Sequence, residues 1–288
     1  MSMNSFHSRR PRAAATRTPG GRTAHDRADG RLRADALLVA RGLVSSRTRA
    51  RELIEAGCVR ASGQIVAKPG QLLVETEALD IAEDERSRYV SRGALKLAAA
   101  LEQSGLDVHG WICLDVGQST GGFTDCLLQA GAAKVVGIEV GHGQLHPRLG
   151  SDPRCVTLEG INARHLGAAD LGQHLPARGF DLIVCDASFI SLTLLMPQWR
   201  ALLAPDGAVI ALVKPQFEAG PQHLAKGGVV RDAAAFAEVE QRVRATAAEA
   251  GFAVRGWFDS PIAGGGVGNI EGNREFLIWM QANEHATD

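Results

Sequence analysis

The chain has 288 residues, of which 45% are hydrophobic, and its formal net charge is −1. This length allows one large domain and a smaller one, and the apolar content is ample for a packed core. No apolar run approaches the roughly 18 residues that a membrane-spanning helix requires, and no signal peptide begins the chain. We therefore expect a globular cytoplasmic protein that does not act on membranes.

The charge is unevenly distributed along the chain. Up to Lys96 there are 18 Lys and Arg residues against 11 Asp and Glu residues, and the remainder has 13 against 21. Basic charge concentrated in a small N-terminal part is typical of proteins that bind a polyanion. On the charge alone, a solvated basic surface is an equally good interpretation.

The cysteine and histidine residues predict neither disulfides nor a structural metal. The five cysteines are widely spaced and most lie inside apolar runs, which indicates buried thiols in a reducing compartment. Neither the cysteines nor the nine histidines show the spacing of metal ligands.

Residues 1–30 form the first segment. Arginines alternate there with Ser, Thr, Pro, Gly and Ala, and almost nothing is apolar enough to bury, which predicts a disordered basic tail. Three roles stay open for it: an organellar transit peptide, an arm that binds RNA, or a neutral extension.

Residues 31–82 have the pattern of a small α+β domain. Leucines recur at helical spacing, Ser45 and Ser46 can cap a second helix, and Ser62-Gly63 is a tight-turn sequence. In chain order, the predicted elements are a helix around Leu32–Leu43, a second helix over Arg47–Ala56, a hairpin of Cys58–Ala61 and Gln64–Ala67, and a strand over Leu79–Ile81.

This order of elements resembles the S4 RNA-binding domain, whose basic helix face docks on structured RNA. Arg47 and Arg51 are four residues apart and share a helix face, with Arg49 beside them. The resemblance implies that these arginines contact phosphates, which positions RNA without reading its sequence. Arg60 and Arg92 complete the predicted RNA-binding set.

An acidic segment at residues 83–90 predicts a linker, and residues 91–282 then alternate apolar strands with helices. Such alternation predicts an α/β fold, a Rossmann-like doubly wound sheet with ligands at the carboxyl ends of its strands. The predicted helices are 91–103, 122–129, 192–203 and 233–250, and the predicted strands are 112–116, 134–140, 155–158, 181–185, 208–213, 254–258 and 276–280.

A glycine-rich turn follows the first of these strands. Its glycines suit a backbone that turns with positive φ and approaches a ligand closely. Their spacing fits neither G-x-G-x-x-G nor a P-loop, so we expect S-adenosylmethionine rather than a dinucleotide or triphosphate; a plain tight turn is the alternative. The predicted cofactor contacts are Asp115, Gly117, Ser119, Thr120, Gly121, Gly122, Phe123, Glu139, Asn162 and Asp186.

Three of these residues have specific assignments. Glu139 ends the second strand, where such folds place an acid that accepts hydrogen bonds from a ribose. Asn162 suits either an adenine contact or a turn. Asp115 suits either a cofactor contact or a helix cap.

Four charged residues form the candidate catalytic set. Asp186 and Lys214 each follow an apolar strand, and a lysine there is costly to desolvate unless it is paired or neutral. Lys96 lies on the helix before the first strand, and Glu275 directly precedes the last. Either of these two alone would be an ordinary surface charge.

The order Lys, Asp, Lys, Glu resembles that of FtsJ-like RNA 2'-O-methyltransferases. With the S4-like part, the chain is similar to the TlyA family, described both as haemolysins and as methyltransferases acting on cytidines of ribosomal RNA. The motifs that carry this similarity are residues 89–96, 115–124, 140–145, 188–192, 214–218, 226–232 and 260–262.

The resemblance implies a reaction and a role for each residue. A ribose 2'-hydroxyl is a poor nucleophile until its proton is removed, and we assign this base to Lys214, although two coupled lysines titrate together. Lys96 would position the hydroxyl, while Asp186 and Glu275 would orient the two lysines. We expect ribosomal RNA or ribosomal subunits as partners, and a monomer or weak homodimer.

Two alternatives remain open at this point. Gly268–Glu271 repeats the Gly-Asn-x-Glu pattern of Gly272–Glu275; we prefer Glu275 because an apolar strand follows it directly. The chain could also be a catalytically inactive RNA-binding protein or a membrane-active haemolysin, although no long amphipathic helix favours the latter.

Overall fold

A computed structural model describes residues 27–28, 31–44, 46–55, 57–81, 88–225, 228–264 and 272–283. The chain divides into two compact units, residues 1–84 and residues 85–288. Most of the predicted tail and linker lies outside the described residues. Strand β1 (Arg27–Ala28) is described, however, and it pairs with strand β2 (Arg31–Arg33). Residues 27 and 28 of the predicted tail are thus structured, because backbone pairing needs no apolar run.

The smaller unit is built from two helices and two antiparallel sheets. The helices are α1 (Ala34–Ala40) and α2 (Arg47–Glu55). One sheet has the order β1-β2-β5 with β5 at Leu72–Val74, and the other has the order β4-β3-β6, formed by Gln64–Ile65, Val59–Ala61 and Leu79–Ile81. Leu37, Leu38, Leu53, Ile54 and Val59 are among its buried core residues.

Local signals explain where these elements begin and end. Ser46 Oγ accepts from the backbone N–H of Arg49, which caps α2. Gly57, with φ +75°, ends the same helix in the left-handed region. Ser62 and Gly63 both have positive φ, which confirms the predicted hairpin turn.

One prediction about this unit was wrong, and one strand was not predicted. Residues 31–33 form strand β2, and the first helix begins only at Ala34, because Leu32 is buried through sheet pairing rather than on a helix face. Strand β5 was not predicted, since three residues show too little alternation to signal a strand.

The larger unit contains a seven-stranded sheet of order β12-β13-β11-β10-β7-β8-β9. Strands β7 to β11 are parallel, and β13 lies antiparallel between β11 and β12. The doubly wound sheet is thereby confirmed. The strands are β7 (Ile112–Val116), β8 (Lys134–Glu139), β9 (Cys155–Glu159), β10 (Phe180–Cys185), β11 (Leu203–Val213), β12 (Phe252–Asp259) and β13 (Phe276–Ala282).

Helices cover both faces of this sheet. Helices α3 (Gly93–Ser104) and α4 (Gly122–Gln129) contribute Leu97 and Leu127 to one apolar cluster. On the other face, α8 (Ala233–Glu249) packs Val239 and Val243 against Trp199 in a second cluster. Three shorter helices lie between α4 and α8 in the sequence: α5 (Pro147–Gly150), α6 (Ala168–Leu171) and α7 (Pro215–Glu218).

The predicted helix 192–203 was wrong. The chain makes two separate 3-10 turns, Leu192–Leu194 and Met196–Gln198, and strand β11 already begins at Leu203. Pro197 lacks an N–H and disfavours helical backbone before it. Leu195, Met196 and Trp199 are buried from these turns, which reproduces the apolar spacing of a helix.

Two further observations complete the fold. Among the described helices, none combines the length and apolar character that crossing a bilayer demands. All five cysteines carry free thiols; four are buried and Cys155 is half-buried.

Candidate active site

The topology brings the four predicted catalytic residues to one edge of the larger sheet. Asp186 and Lys214 follow the carboxyl ends of the parallel strands β10 and β11. Because β13 runs antiparallel to β11, its beginning lies at the same edge, and Glu275 directly precedes it. Lys96 reaches this edge from the first turn of α3.

The four side chains form a chain of alternating charges. Lys96 Nζ lies 2.6 Å from Glu275 Oε2 and 4.0 Å from Asp186 Oδ2. Lys214 Nζ lies 2.7 Å from Asp186 Oδ1 and 2.7 Å from Ser188 Oγ. Asp186 is thus shared between the two ammonium groups.

Burial makes this arrangement energetically demanding. Lys96, Lys214 and Glu275 are only 8%, 7% and 3% exposed, whereas Asp186 is half-buried. Charges withdrawn from water are tolerated when they are paired. The charges of the two ammonium groups and the two carboxylates cancel. The buried set can therefore hold two lysine nitrogens at fixed positions.

These residues line a cavity of about 480 Å³ in the larger unit, within the ~300–1,000 Å³ usual for small-molecule sites. Its wall also includes the glycine-rich turn, with Gly117, Ser119, Thr120 and Gly122, and the buried Phe123. Gly121 lies in the turn itself, with φ +90°.

The glycines of the turn leave no room for side chains. Gly117 has φ +81°, and a Cβ at this position would lie 3.1 Å from Ala187 Cα. A Cβ at Gly122 would collide with Ser91 Oγ, between helices α4 and α3. At these glycines the turn presents backbone without side chains to the cavity wall, which allows a ligand to approach the backbone closely.

Asp115 is fully buried at the end of β7 and has one unpartnered oxygen. Its Oδ2 accepts from the backbone N–H of Thr124 at 3.0 Å and from the Thr124 hydroxyl at 2.7 Å, while Oδ1 has no hydrogen-bond partner among the described residues. Burial raises the pKa of Asp115 to about 7, and the nearby charges of Asp186 and Glu139 add to the rise. Asp115 therefore both caps helix α4 and presents a free acceptor at the cavity wall.

We expect Asp115 to make the free energy of unfolding fall with rising pH. The pKa of Asp115 is about 7 in the folded chain, whereas an aspartate in an unstructured peptide has a pKa of 3.8. Folding therefore favours the protonated form. The stability that this preference contributes is fully present below the pKa of the unfolded state. It is lost as the pH rises through the pKa of the folded state. Urea unfolding between about pH 4 and pH 8 should show Asp115→Asn gaining stability relative to wild type as the pH rises; parallel pH curves would contradict this.

Glu139 and Asn162 lie at the neighbouring strand ends. Glu139 accepts from the backbone N–H groups of Ser119 and Gly141, both at 2.9 Å, and so fixes the turn after β7. Asn162 is exposed, and its Oδ1 accepts from the backbone N–H of Arg164 at 3.0 Å, which is the turn role considered above. Neither residue lies on the wall of the cavity.

The structure adds two residues of the motif 188–192 to which the sequence analysis gave no individual role. Ser188 hydrogen-bonds to Lys214, as described above. Phe189 is 91% exposed on the cavity wall, has φ +63°, and its ring centroid lies 5.3 Å from that of Phe217. A large aromatic side chain that faces water at a cavity is a functional signal, but only the fold reveals its exposure.

Two of the predicted RNA-binding arginines, Arg47 and Arg51, contact a buried acid of the smaller unit together with Arg33. Asp35, on α1, lies 3.1 Å from Arg33 Nε, 3.1 Å from Arg47 Nη2 and 3.3 Å from Arg51 Nε. Although burial raises it, hydrogen bonds from the three arginines hold the pKa of Asp35 below its usual value. Asp35 thus fixes part of the basic helix face.

Arg49, Arg60 and Arg92 are the other predicted RNA-binding arginines. Arg49 is half-buried on α2, and the exposed Arg60 donates to Gly63 O at 3.2 Å. In the larger unit, Arg92 is exposed at the cavity wall. Within the smaller unit a cleft is lined by Arg33, Arg51 and Lys68, of which only Arg51 was predicted to bind RNA.

Family profiles match both units. The profile for FtsJ-like methyltransferases matches residues 89–282, and that for the S4 domain matches residues 32–78. The 16S/23S rRNA (cytidine-2'-O)-methyltransferase TlyA of Mycobacterium tuberculosis is 43% identical over 251 residues, covering 87% of this chain and 90% of that protein. Hemolysin A of Brachyspira hyodysenteriae is 36% identical, covering 86% of this chain and 100% of that protein.

Solved structures are similar as well. A protein from Streptococcus thermophilus, assigned as a hemolysin, has a TM-score of 0.65 and 38% identity, covering 89% of this chain and 90% of that chain. A Listeria monocytogenes protein, assigned as an S-adenosylmethionine-dependent methyltransferase, has a TM-score of 0.50 and 16% identity, covering 67% of this chain and 100% of that chain. At that identity the second similarity concerns the fold alone.

Proposed function

Since this chain belongs to the TlyA family of FtsJ-like methyltransferases with an S4 domain, we propose that it methylates the ribose 2'-oxygen of cytidines in ribosomal RNA of the small or large subunit. One observation carries the proposal. Lys96, Asp186, Lys214 and Glu275 converge at a cavity whose wall is the glycine-rich turn.

The cavity suits S-adenosylmethionine, which when bound supplies an electrophilic methyl group on a sulfonium. The bare backbone around Gly117, Gly121 and Gly122 would hold it, with Ser119, Thr120 and Phe123 beside them. The free Oδ1 of Asp115 is an acceptor suited to an amino group. Glu139 would accept from the ribose, and Asn162 and Asp186 would complete the predicted contacts.

The residues around the cavity would activate and position the ribose hydroxyl. Lys214 passes its proton to Asp186 Oδ1, 2.7 Å away, and as a neutral amine takes the proton of the 2'-hydroxyl, while Asp186 holds its Nζ in place. Lys96 donates to the same ribose oxygen as negative charge develops there, and Glu275 fixes Lys96. Holding the hydroxyl in line accounts for much of the acceleration, because positioning alone contributes about 7–11 kcal/mol in well-oriented reactions.

The S4-like domain would bring the RNA. We propose domain limits of 31–82 for it, 83–90 for the linker and 91–282 for the methyltransferase domain. Arg47, Arg49, Arg51 and Arg60 would contact phosphates, with Arg92 at the cavity. The substrate implies a cytoplasmic location, and we propose a monomer or weak homodimer.

Phe189, exposed at the cavity wall, would stack on the base of the target nucleotide. We expect Phe189→Ala to lower kcat/KM for RNA by about 1–3 kcal/mol of transition-state stabilisation, the usual worth of base–aromatic stacking, with little change in the dissociation constant of S-adenosylmethionine. Leu194→Ala, which removes another exposed apolar side chain, is the matched control. Equal effects of both variants would remove Phe189 from the substrate site.

Mapping of 2'-O-methylated nucleotides by mass spectrometry tests the proposed function directly. Ribosomal RNA from cells with the protein, without it, and with only Lys214→Ala is compared. We expect a cytidine methylated in the first case alone. If no nucleotide differs, calorimetry with S-adenosylmethionine identifies an inactive RNA-binding protein by the absence of binding, and liposome lysis by the purified protein identifies a haemolysin.

A further inference from the structure

Glu218 is a buried acid next to the catalytic set that does not face the cavity. It is the last residue of α7, four residues after Lys214, and it is 5% exposed. The cavity wall does not include it, so it is not placed to touch substrate or cofactor. A carboxylate withdrawn from water in this way needs strong partners.

Both of its carboxylate oxygens bind the loop that follows β10. Glu218 Oε2 accepts from the Ser191 hydroxyl at 2.6 Å, and Oε1 accepts from the backbone N–H of Leu192 at 2.6 Å. Hydrogen bonds to a charged acceptor are stronger than neutral ones. Glu218 thus joins the end of this loop to the helix that follows Lys214.

The loop carries three residues of the site and is strained. Asp186 and Ser188 both contact Lys214, and Phe189 adopts φ +63°, a backbone conformation that is unfavourable for residues with side chains. Such strain persists only where the surroundings restrain the backbone. The two hydrogen bonds to Glu218 provide that restraint at Ser191 and Leu192, five and six residues beyond Asp186.

Arg242 supports Glu218 from the other side. Its guanidinium donates to the backbone carbonyl of Glu218. Burial raises the pKa of Glu218, while the bonds from Ser191 and Leu192 and the charge of Arg242 lower it. The carboxylate is therefore desolvated but accepts two hydrogen bonds from the segment after β10.

We propose that Glu218 is a positioning residue of the methyl-transfer reaction, which holds Ser188, Phe189 and Lys214 in their catalytic arrangement by tying the loop after β10 to helix α7. The inference rests on the proposed function. It predicts that Glu218 affects turnover rather than cofactor binding. The glycine-rich turn, which we propose to hold the cofactor, follows β7 and is not part of the loop that Glu218 binds.

The test measures kcat and KM for ribosomal RNA, the dissociation constant of S-adenosylmethionine and the urea unfolding midpoint. Glu218→Ala should lower kcat by about 10- to 100-fold, because small misplacements at reacting groups have effects of that size, with cofactor binding changed less than about twofold. Glu218→Gln should recover most of kcat, since its amide can still accept from Leu192 and donate to the Ser191 hydroxyl.

Ser191→Ala and the double variant Ser191→Ala/Glu218→Ala give an independent measurement. Ser191→Ala removes one of the two bonds and should lower kcat less than Glu218→Ala does. The double variant should be no slower than Glu218→Ala, because both changes release the same loop. Additive losses would overturn the inference, and Ser191→Ala alone also serves if Glu218→Ala does not fold.

Asp181→Ala is the control for stability. Asp181 Oδ2 accepts from the backbone N–H of Ile112 at 2.8 Å, a comparable carboxylate bond at the opposite edge of the sheet. It should lower the unfolding midpoint without changing kcat. An unchanged kcat in Glu218→Ala, or an equal loss in Asp181→Ala, would overturn the inference, whereas an inactive wild type in the same assay would overturn the proposed function instead.

Discussion

Lys214→Ala is expected to lower kcat for methyl transfer by about 10²- to 10⁴-fold, the contribution usual for a positioned proton acceptor. The variant removes the amine that lies 2.7 Å from both Asp186 and Ser188. It leaves the glycine-rich turn intact, since that turn follows β7 while Lys214 follows β11. Single-turnover transfer to ribosomal RNA measures the loss, and calorimetry should show nearly unchanged binding of S-adenosylmethionine.

Two further variants separate the proton-accepting role of Lys214 from its charge. Lys214→Arg keeps a cation beside Asp186 but cannot accept a proton at neutral pH, so we expect it to be almost as slow as Lys214→Ala. Lys134→Ala removes the lysine that begins β8 at the opposite edge of the sheet and should leave kcat unchanged. Near-normal turnover in Lys214→Ala would contradict the assignment of the base.

Glu275→Ala is expected to lower the free energy of unfolding by about 3–5 kcal/mol, the cost of breaking a buried ion pair from one side. The carboxylate lies 2.6 Å from Lys96, and both side chains are nearly inaccessible. Asp186, at 4.0 Å from Lys96, compensates only in part. Urea unfolding measures the loss, and methyl transfer should be lost as well because Lys96 is no longer fixed.

The double variant Lys96→Met/Glu275→Leu tests the cause of this instability. Removing both charges and filling the space with apolar side chains should restore most of the unfolding free energy while the protein stays inactive. Glu271→Ala is the second control, since Glu271 belongs to the repeated Gly-Asn-x-Glu and lies outside the described residues. Full stability in Glu275→Ala, with loss of activity in Glu271→Ala, would reverse the choice between the two acids.

The position of the site could be predicted because the apolar runs of the sequence show where the strands end. Asp186 and Lys214 follow apolar runs, and parallel strands present their carboxyl ends at one edge. Glu275 was harder to place, since the antiparallel direction of β13 is what brings its beginning to that edge. No periodicity in the chain signals strand direction.

Other parts of the site depend on contacts that sequence patterns do not encode. The bonds from Glu218 to Ser191 and Leu192 span more than 25 residues, and the three arginines around Asp35 come from two elements. The exposure of Phe189 and the 3-10 turns around Pro197 likewise follow from packing. Apolar spacing alone could not distinguish those turns from a helix.

The Lys96–Glu275 pair joins residues that are 179 positions apart, and this separation has a consequence for refolding. Long-range strand pairing is the slow part of assembling a sheet. Enzymatic recovery after dilution from denaturant should therefore lag behind the return of helical circular dichroism. In pulsed hydrogen exchange, the amides of β13 should gain protection at the same rate as activity returns.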